Sequence, residues 1–342
     1  MDKKKPKIAL IYTGGTIGMM KDPESGSLKP FNFDKLLKRI PEIKLLSCDI
    51  TTLTLFDPID SSNMHPWYWE QMAKMIAETY EDYDGYVLLH GSDTMSYTAS
   101  ALSFMLENLD KPVIVTGSQL PIGDLRTDAK ENLITAIQMA SLQHYGKPLI
   151  REVGLYFEYK LYRGNRTTKI SAEHFEAFDS PNYPPLAESG VNLEVNKNLL
   201  FRAGKGNLRV HPKFETNIAL VKLFPGISNS FLEPIFNSAS IKGIIVETYG
   251  AGNMPTDKWL LQLLSETVKR GIPIINVTQC SGGKVVMGQY ETSEHLRRIG
   301  IISGWDITTE AAVTKLMYLL GQGLDIKHLK KQFEISLRGE IS

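Results

Sequence analysis

Ile8-Ala9-Leu10-Ile11-Tyr12 runs directly into Thr13-Gly14-Gly15-Thr16-Ile17-Gly18, and Tyr86-Val87-Leu88-Leu89 runs in the same way into His90-Gly91-Ser92-Asp93-Thr94-Met95. Each is a short apolar strand signal cut off by a glycine loop that carries hydroxyl side chains. In an open α/β sheet, the loops at the carboxyl ends of neighbouring strands converge on one crevice. Two hydroxyls and a carboxylate gathered there are the parts of a nucleophilic hydrolase.

Outward from these loops, strand and helix signals alternate, which predicts an α/β fold with a mostly parallel, doubly wound sheet. Residues 50–56 are rich in strand formers. The spacing of Trp69, Met72, Ala73, Ile76 and Tyr80 predicts a helix that starts at Ser62 or Asn63, with Pro66 in its first turn. Further helices are expected at 94–107 and 125–142, and strands at 112–116 and 153–159. Turn formers at 21–27 mark a loop, and 34–40 has a helical pattern. The alternation breaks between 178 and 213, where Pro, Asn, Gly and charge accumulate. The expected division is therefore a catalytic domain at 1–190, a linker at 191–215 and a smaller α/β domain at 216–342. In that second domain, strands are expected at 218–224, 243–249 and 273–277, and helices at 257–270 and 309–320.

The chain has 342 residues, with 38 basic and 38 acidic side chains and a formal net charge of zero. That balance argues against nucleic acid as the main partner. No run approaches the roughly 20 apolar residues that cross a bilayer, so no membrane partner is expected. Four lysines precede the first strand, but no apolar signal core follows them, and a cytoplasmic protein is expected. Cys48 and Cys280 stand far apart in no metal-ligand spacing, as free thiols of a reducing compartment do.

A glycine loop after a strand is also a frequent phosphate cradle. Here the order Gly14-Gly15-Thr16-Ile17-Gly18 lacks the dinucleotide G-x-G-x-x-G pattern, and no Gly-Lys-Ser/Thr follows. His90, Ser92 and Asp93 invite a triad reading, but a triad needs separate serine–imidazole and imidazole–carboxylate contacts that near neighbours rarely make. A lysine held beside a carboxylate is an alternative base, and Lys169 in Arg163-Gly164-Asn165-Arg166-Thr167-Thr168-Lys169 is the candidate. On charge alone that stretch reads as a solvated basic turn.

The paired glycine motifs resemble those of bacterial L-asparaginases. Asp60-Ser61-Ser62-Asn63-Met64, Thr116-Gly117-Ser118-Gln119-Leu120-Pro121, Arg163 to Lys169, Tyr249-Gly250-Ala251-Gly252-Asn253 and Asn276-Val277-Thr278-Gln279-Cys280 extend the likeness to the type I, cytoplasmic branch. The motifs follow in order across nearly the whole chain. The resemblance implies a two-domain fold with a larger flavodoxin-like N-terminal sheet, and deamidation of L-asparagine to L-aspartate and ammonia without metal or organic cofactor. It implies Thr16 as nucleophile, with Ser92, Asp93 and Lys169 as the second catalytic group. It further implies substrate contacts at Asp60, Ser61, Ser92, Asp93 and Ser118, and Asn253 supplied by a neighbouring subunit of a homodimer or homotetramer. The Ser92 backbone N–H would serve as an oxyanion donor.

Three positions depart from the family pattern. Ser92 stands where threonine is usual, which keeps the hydroxyl but loses the β-branch. Residues 26–30, Gly-Ser-Leu-Lys-Pro, contain no tyrosine where the family places a partner for the nucleophile. Cys280 and Thr168 match the allosteric asparagine site of some members, whereas Glu247 replaces the arginine expected there and argues against activation by asparagine. Two other readings share these signatures: the amidase subunit of a tRNA-dependent amidotransferase, which normally carries an additional N-terminal domain, and a non-catalytic amino-acid sensor.

Overall fold

The structure, a computed structural model, describes residues 5–21, 28–30, 40–202, 204, 206–288 and 291–342. The loop expected at 21–27 and the helix expected at 34–40 fall outside these residues apart from their outermost positions. The chain divides into two compact units, Met1–Pro212 and Lys213–Ser342.

In the first unit, one eight-stranded sheet contains β1 (Lys7–Tyr12), β2 (Asp49–Leu53), β3 (Gly85–Leu89), β4 (Val113–Thr116), β5 (Val153–Phe157), β6 (Lys160–Arg163), β7 (Ala187–Ser189) and β8 (Leu193–Val195). Its order is β8-β7-β6-β5-β4-β3-β1-β2. β1 to β5 are mutually parallel, and β6 to β8 extend the sheet antiparallel. The parallel part therefore has the flavodoxin-like order 2-1-3-4-5, whose switch point lies between β1 and β3. β3, β4 and β5 are buried along their whole length, which explains their unbroken apolar runs.

Register places the ends of these strands at one level. Tyr12 pairs with Leu89, and Leu89 pairs with Thr116, so the loops at Thr13, His90 and Gly117 leave the sheet together. Helices α1 (Pro66–Glu78), α2 (Met95–Met105) and α3 (Ala129–Ser141) complete the unit's main framework.

Several expected boundaries move. Ser61–Asn63 forms a separate 3-10 turn, and α1 begins at Pro66, whose fixed φ and missing N–H suit the first helical position. The strand expected at 50–56 ends at Leu53. The strand expected at 153–159 ends in a tight hairpin, with Glu158 and Tyr159 both at positive φ. The segment expected to be a linker is structured at two places. Leu193–Val195 is the edge strand β8, and Arg209–Val210 pairs with Leu106–Glu107. Its polar composition reflects short edge strands and turns, which bury few side chains.

The second unit has a four-stranded parallel sheet in the order β9 (Ile218–Lys222), β10 (Gly243–Thr248), β11 (Ile274–Thr278) and β12 (Ile302–Ser303). With it go α4 (Asn229–Phe236), α5 (Lys258–Lys269), α6 (Glu291–Ile299), α7 (Thr309–Gly321) and α8 (Ile326–Phe333). Leu232, Phe236, Ile244, Val246, Leu260 and Leu264 lie in its apolar core. Lys315, fully buried on α7, donates to the Phe333 and Ile335 carbonyls at 2.7 Å each and pairs with buried Glu340. Glu340 also accepts from the Leu337 and Arg338 amides, so this buried pair is compensated and fixes the C-terminal segment.

Candidate active site

The two glycine loops touch through their backbones. Gly15 has φ +85°, and a methyl group on it would lie 2.5 Å from both Cα and N of Gly91. A methyl group on Gly91 would in turn lie 2.5 Å from the Ser61 hydroxyl. Only hydrogen at these positions lets the first loop, the second loop and the Asp60-Ser61 segment come together. The Thr94 hydroxyl closes the junction by donating to the Ser61 carbonyl at 2.7 Å. Thr16 is the first residue of the 3-10 turn that follows Gly15 and is half-buried.

Lys169 reaches the second loop from a distant part of the chain. Its Nζ lies 2.9 Å from Ser92 Oγ and 2.7 Å from Asp93 Oδ1. The stretch that carries it is not a solvated turn. Arg163 and Arg166 are buried; Arg163 Nε lies 2.7 Å from Glu152 Oε2, and its guanidinium stacks 4.4 Å from the Tyr183 ring. Glu152 also accepts from the Phe201 amide. Gly164 sits against Ala99 of α2, and Thr168–Lys169 pairs with Phe178–Asp179. The arginines thus anchor the turn in the core while Lys169 keeps 20 % of its side chain exposed.

Ser92 Oγ accepts from Lys169 and donates to Gln119 Oε1 at 3.1 Å. Gln119 Nε2 donates onward to the His174 carbonyl. The backbone of that third loop is held from α3: Asp128 accepts from the Gln119 and Leu120 amides, and Asn132 donates to the Gly117 carbonyl. Ser118 is buried, and its hydroxyl turns back to the Leu120 carbonyl at 2.6 Å. Sequence alone assigns Gln119 no role, although it lies inside the quoted Thr116-to-Pro121 motif. Its amide, able to accept and donate at once, is the chemical signal.

Asp60 is exposed at the start of the Ser61–Asn63 turn, and its Oδ1 accepts from the Ser62 amide at 2.8 Å. Hydrogen bonding from the Ser62 backbone and side chain holds its carboxyl below the usual range. Ser61 is buried beside Gly91.

His90 is no triad member. Its Nδ1 lies 2.7 Å from the Gly91 carbonyl and its Nε2 2.8 Å from the Thr98 hydroxyl, so both ring nitrogens face partners other than Ser92 and Asp93. Burial holds its pKa down to about 4, against a raising effect of the Gly91 carbonyl.

Asn253 belongs to the second unit, in a turn where Tyr249 and Asn253 exchange backbone hydrogen bonds at 2.8 Å. Glu247, in the same unit, accepts from the Thr309 hydroxyl at 2.6 Å and lies 3.9 Å from Lys222. Cys280 is exposed and Cys48 buried, both free. No helix among the described residues is long and apolar enough to cross a membrane.

The model for the asparaginase N-terminal domain matches residues 7–201, and that for the glutaminase/asparaginase C-terminal domain matches residues 217–333. L-asparaginase 1 of Escherichia coli K12 is 45 % identical over 340 residues, covering 99 % of each chain. The crystal structure of L-asparaginase I from Vibrio cholerae superposes with a TM-score of 0.90 at 42 % identity, over 99 % of this chain and all of that one. A glutamyl-tRNA(Gln) amidotransferase subunit of Thermococcus kodakarensis is 33 % identical over 98 % of this chain but 77 % of its own length. Both domain models in sequence order and a full-length relative at 45 % identity lead to one conclusion: the chain belongs to the asparaginase family.

Proposed function

We propose that this protein hydrolyses the side-chain amide of L-asparagine to L-aspartate and ammonia, with Thr16 as nucleophile. The observation that carries this reading is the Lys169 contact to both Ser92 and Asp93, set beside the Gly15–Gly91 junction that presents Thr16. In the first half-reaction, Thr16 Oγ bonds to the amide carbon and the carbon–nitrogen bond breaks. The proton given up by Thr16 ends on the departing nitrogen, and ammonia leaves an ester on Thr16. Ser92, Lys169 and Asp93 form the exchangeable chain that carries the proton. Water then adds to the ester, its oxygen remaining on the acid and a proton returning to Thr16. Splitting amide hydrolysis in this way replaces one difficult step by two easier ones.

The substrate zwitterion fits the same set. The carboxylates of Asp60 and Asp93 suit its ammonium, and the Ser61 hydroxyl and backbone N–H suit its carboxylate. Ser118 contributes through its main chain near the leaving nitrogen, since its hydroxyl is engaged within its own loop. The Ser92 N–H is the oxyanion donor. Asn253 of a neighbouring copy completes the site in a cytoplasmic homodimer or homotetramer. The first unit, Met1–Pro212, carries catalysis, and Lys213–Ser342 is the smaller domain. Glu247, engaged with Thr309 and Lys222, offers no cation to an effector carboxylate, which supports a non-activated enzyme.

A coupled ammonia assay against asparagine and glutamine over a wide concentration range tests the reading. Ammonia from asparagine with a hyperbolic dependence is expected. Turnover only in the presence of a tRNA-dependent partner would point to an amidotransferase component. Asparagine binding in calorimetry without ammonia would point to a sensor.

A further inference from the structure

His90 is fully enclosed at the switch point of the sheet, yet neither its imidazole nor its partners belong to the reacting set. Its two hydrogen bonds fix its protonation. The Gly91 carbonyl can only accept, so Nδ1, 2.7 Å away, carries the hydrogen. Nε2 is then an acceptor and takes the Thr98 hydroxyl hydrogen at 2.8 Å. That hydroxyl is itself oriented, because Trp69 Nε1 donates to its oxygen at 2.9 Å. Trp69 on α1, Thr98 on α2 and His90 after β3 are all buried, and the chain of donors runs in one direction, from indole to hydroxyl to imidazole to carbonyl.

The carbonyl at the end of this chain belongs to the peptide unit whose N–H is that of Ser92. In a trans peptide the C=O and N–H point in opposite directions. Holding Gly91 O toward His90 therefore turns the Ser92 N–H away from the core. No residue of the described structure accepts that N–H, which lies at the start of the 3-10 turn leading into α2. Gly91 has no side chain of its own to restrain the plane, and glycine has the widest backbone freedom, so a hydrogen bond to its carbonyl adds a restraint on ψ beyond the packing of Gly15 and Ser61 around it.

We propose that the Trp69–Thr98–His90 relay is a positioning device for the reaction: it locks the Gly91–Ser92 peptide plane so that the Ser92 N–H is preorganised toward the developing oxyanion. The inference rests on the asparagine-hydrolysis reading above. His90 acts through the peptide, without touching substrate and without exchanging a proton. Preorganised donors act mainly in the transition state, so their misalignment lowers kcat more than it raises KM.

Two conservative replacements separate this role from simple packing. The Asn side-chain amide overlies Nδ1, so His90→Asn keeps a donor to Gly91 O and gives up the link to Thr98. The Gln amide overlies Nε2, so His90→Gln keeps the link and leaves Gly91 O without a donor. Steady-state ammonia release and thermal unfolding of both variants, with Thr98→Val as a milder perturbation one step back, test the proposal. His90→Gln is expected to lose about tenfold in kcat with KM within about twofold, and His90→Asn to stay within about threefold of the unaltered enzyme. Thr98→Val is expected to lower kcat by a smaller factor, again without a change in KM.

Equal kcat losses in the Asn and Gln variants that track their unfolding temperatures would overturn the proposal in favour of packing. So would an unchanged kcat in His90→Gln, or in Thr98→Val should the His90 variants not fold. Absence of ammonia from the unaltered protein would instead overturn the assigned reaction, and the inference with it.

Discussion

The two glycine loops leave adjacent strands at the same level, yet they are held in different ways. The second loop is fixed by side chains: His90 grips Gly91, Thr94 grips Ser61, and Ser92 and Asp93 meet Lys169. The first is fixed mainly by backbone contact, through Gly15 against Gly91, Gly14 against Ile59 and the Thr13 amide on the Leu89 carbonyl, with the Thr13 hydroxyl the side chain that adds to it. Among the described residues the Thr16 hydroxyl is hydrogen-bonded to none. The contrast teaches a division of labour. On the proposed mechanism a donor and a charge must be preorganised, so the loop that would supply them is tied down; the proposed nucleophile must be able to leave its resting place and form a bond, so its loop would carry it on a fixed backbone with an uncommitted side chain.

The division is broken most severely at Thr16. Thr16→Ala is expected to reduce ammonia release by roughly 10⁴-fold or more while leaving the unfolding temperature unchanged, because the methyl and hydroxyl removed make no hydrogen bond in the described fold. A retained rate would remove Thr16 from the mechanism. Lys169→Met follows, with an expected loss of about 10²- to 10⁴-fold and little loss of stability, since the partly exposed Lys169–Asp93 pair contributes little to folding. A Lys169→Met enzyme near full activity would assign proton transfer elsewhere.

Gly15→Ala attacks the contact between the loops and not either chemistry. Backbone overlap with Gly91 together with the positive φ is expected to cost roughly 2–4 kcal/mol in denaturant unfolding, with activity lost in parallel. An unaltered midpoint would mean that the loops separate freely.

His90 sets a pH dependence of stability. Its folded pKa of about 4 lies below the unfolded value of about 6.5, so between the two the unfolded chain binds the extra proton. Stability is therefore expected to fall as pH drops from about 6.5 toward 4, by up to about 3 kcal/mol from this group. Denaturant titrations across that range should show the slope in the unaltered protein and a shallower one in His90→Asn. The smallest effect is expected of Ser92→Thr, which keeps the hydroxyl and adds a β-branch; its kcat should stay within about threefold. A large loss would show that the pocket is shaped to serine.

Much of this site is legible in the sequence because it rests on local signals. An apolar run ended by glycine reports both the strand and the sharp exit, and two such runs place the crevice before any topology is known. The strand order turns that into a location, the switch point between β1 and β3. Lys169 is legible only by resemblance. Its neighbours Arg163 and Arg166 carry charge that reads as solvent-facing, and their burial depends on Glu152 and Tyr183, which sequence spacing does not connect. Gln119 escapes a sequence reading for a related reason: its role is to bridge Ser92 and the His174 carbonyl, two partners distant in sequence. The polar stretch at 191–215 misleads because very short edge strands have too few buried positions to leave a periodic pattern. The helix Ile326–Phe333 is equally faint, its eight residues including three lysines and only a narrow apolar face on Leu329 and Phe333.

The most direct test of Thr16 as nucleophile is to mix the enzyme with asparagine, quench it in acid within the first turnovers and map the modified peptide by mass spectrometry. An aspartyl ester on Thr16 of the first loop is expected. An ester on Ser92 of the second loop, or turnover with no covalent species at any time point, would refute the assignment.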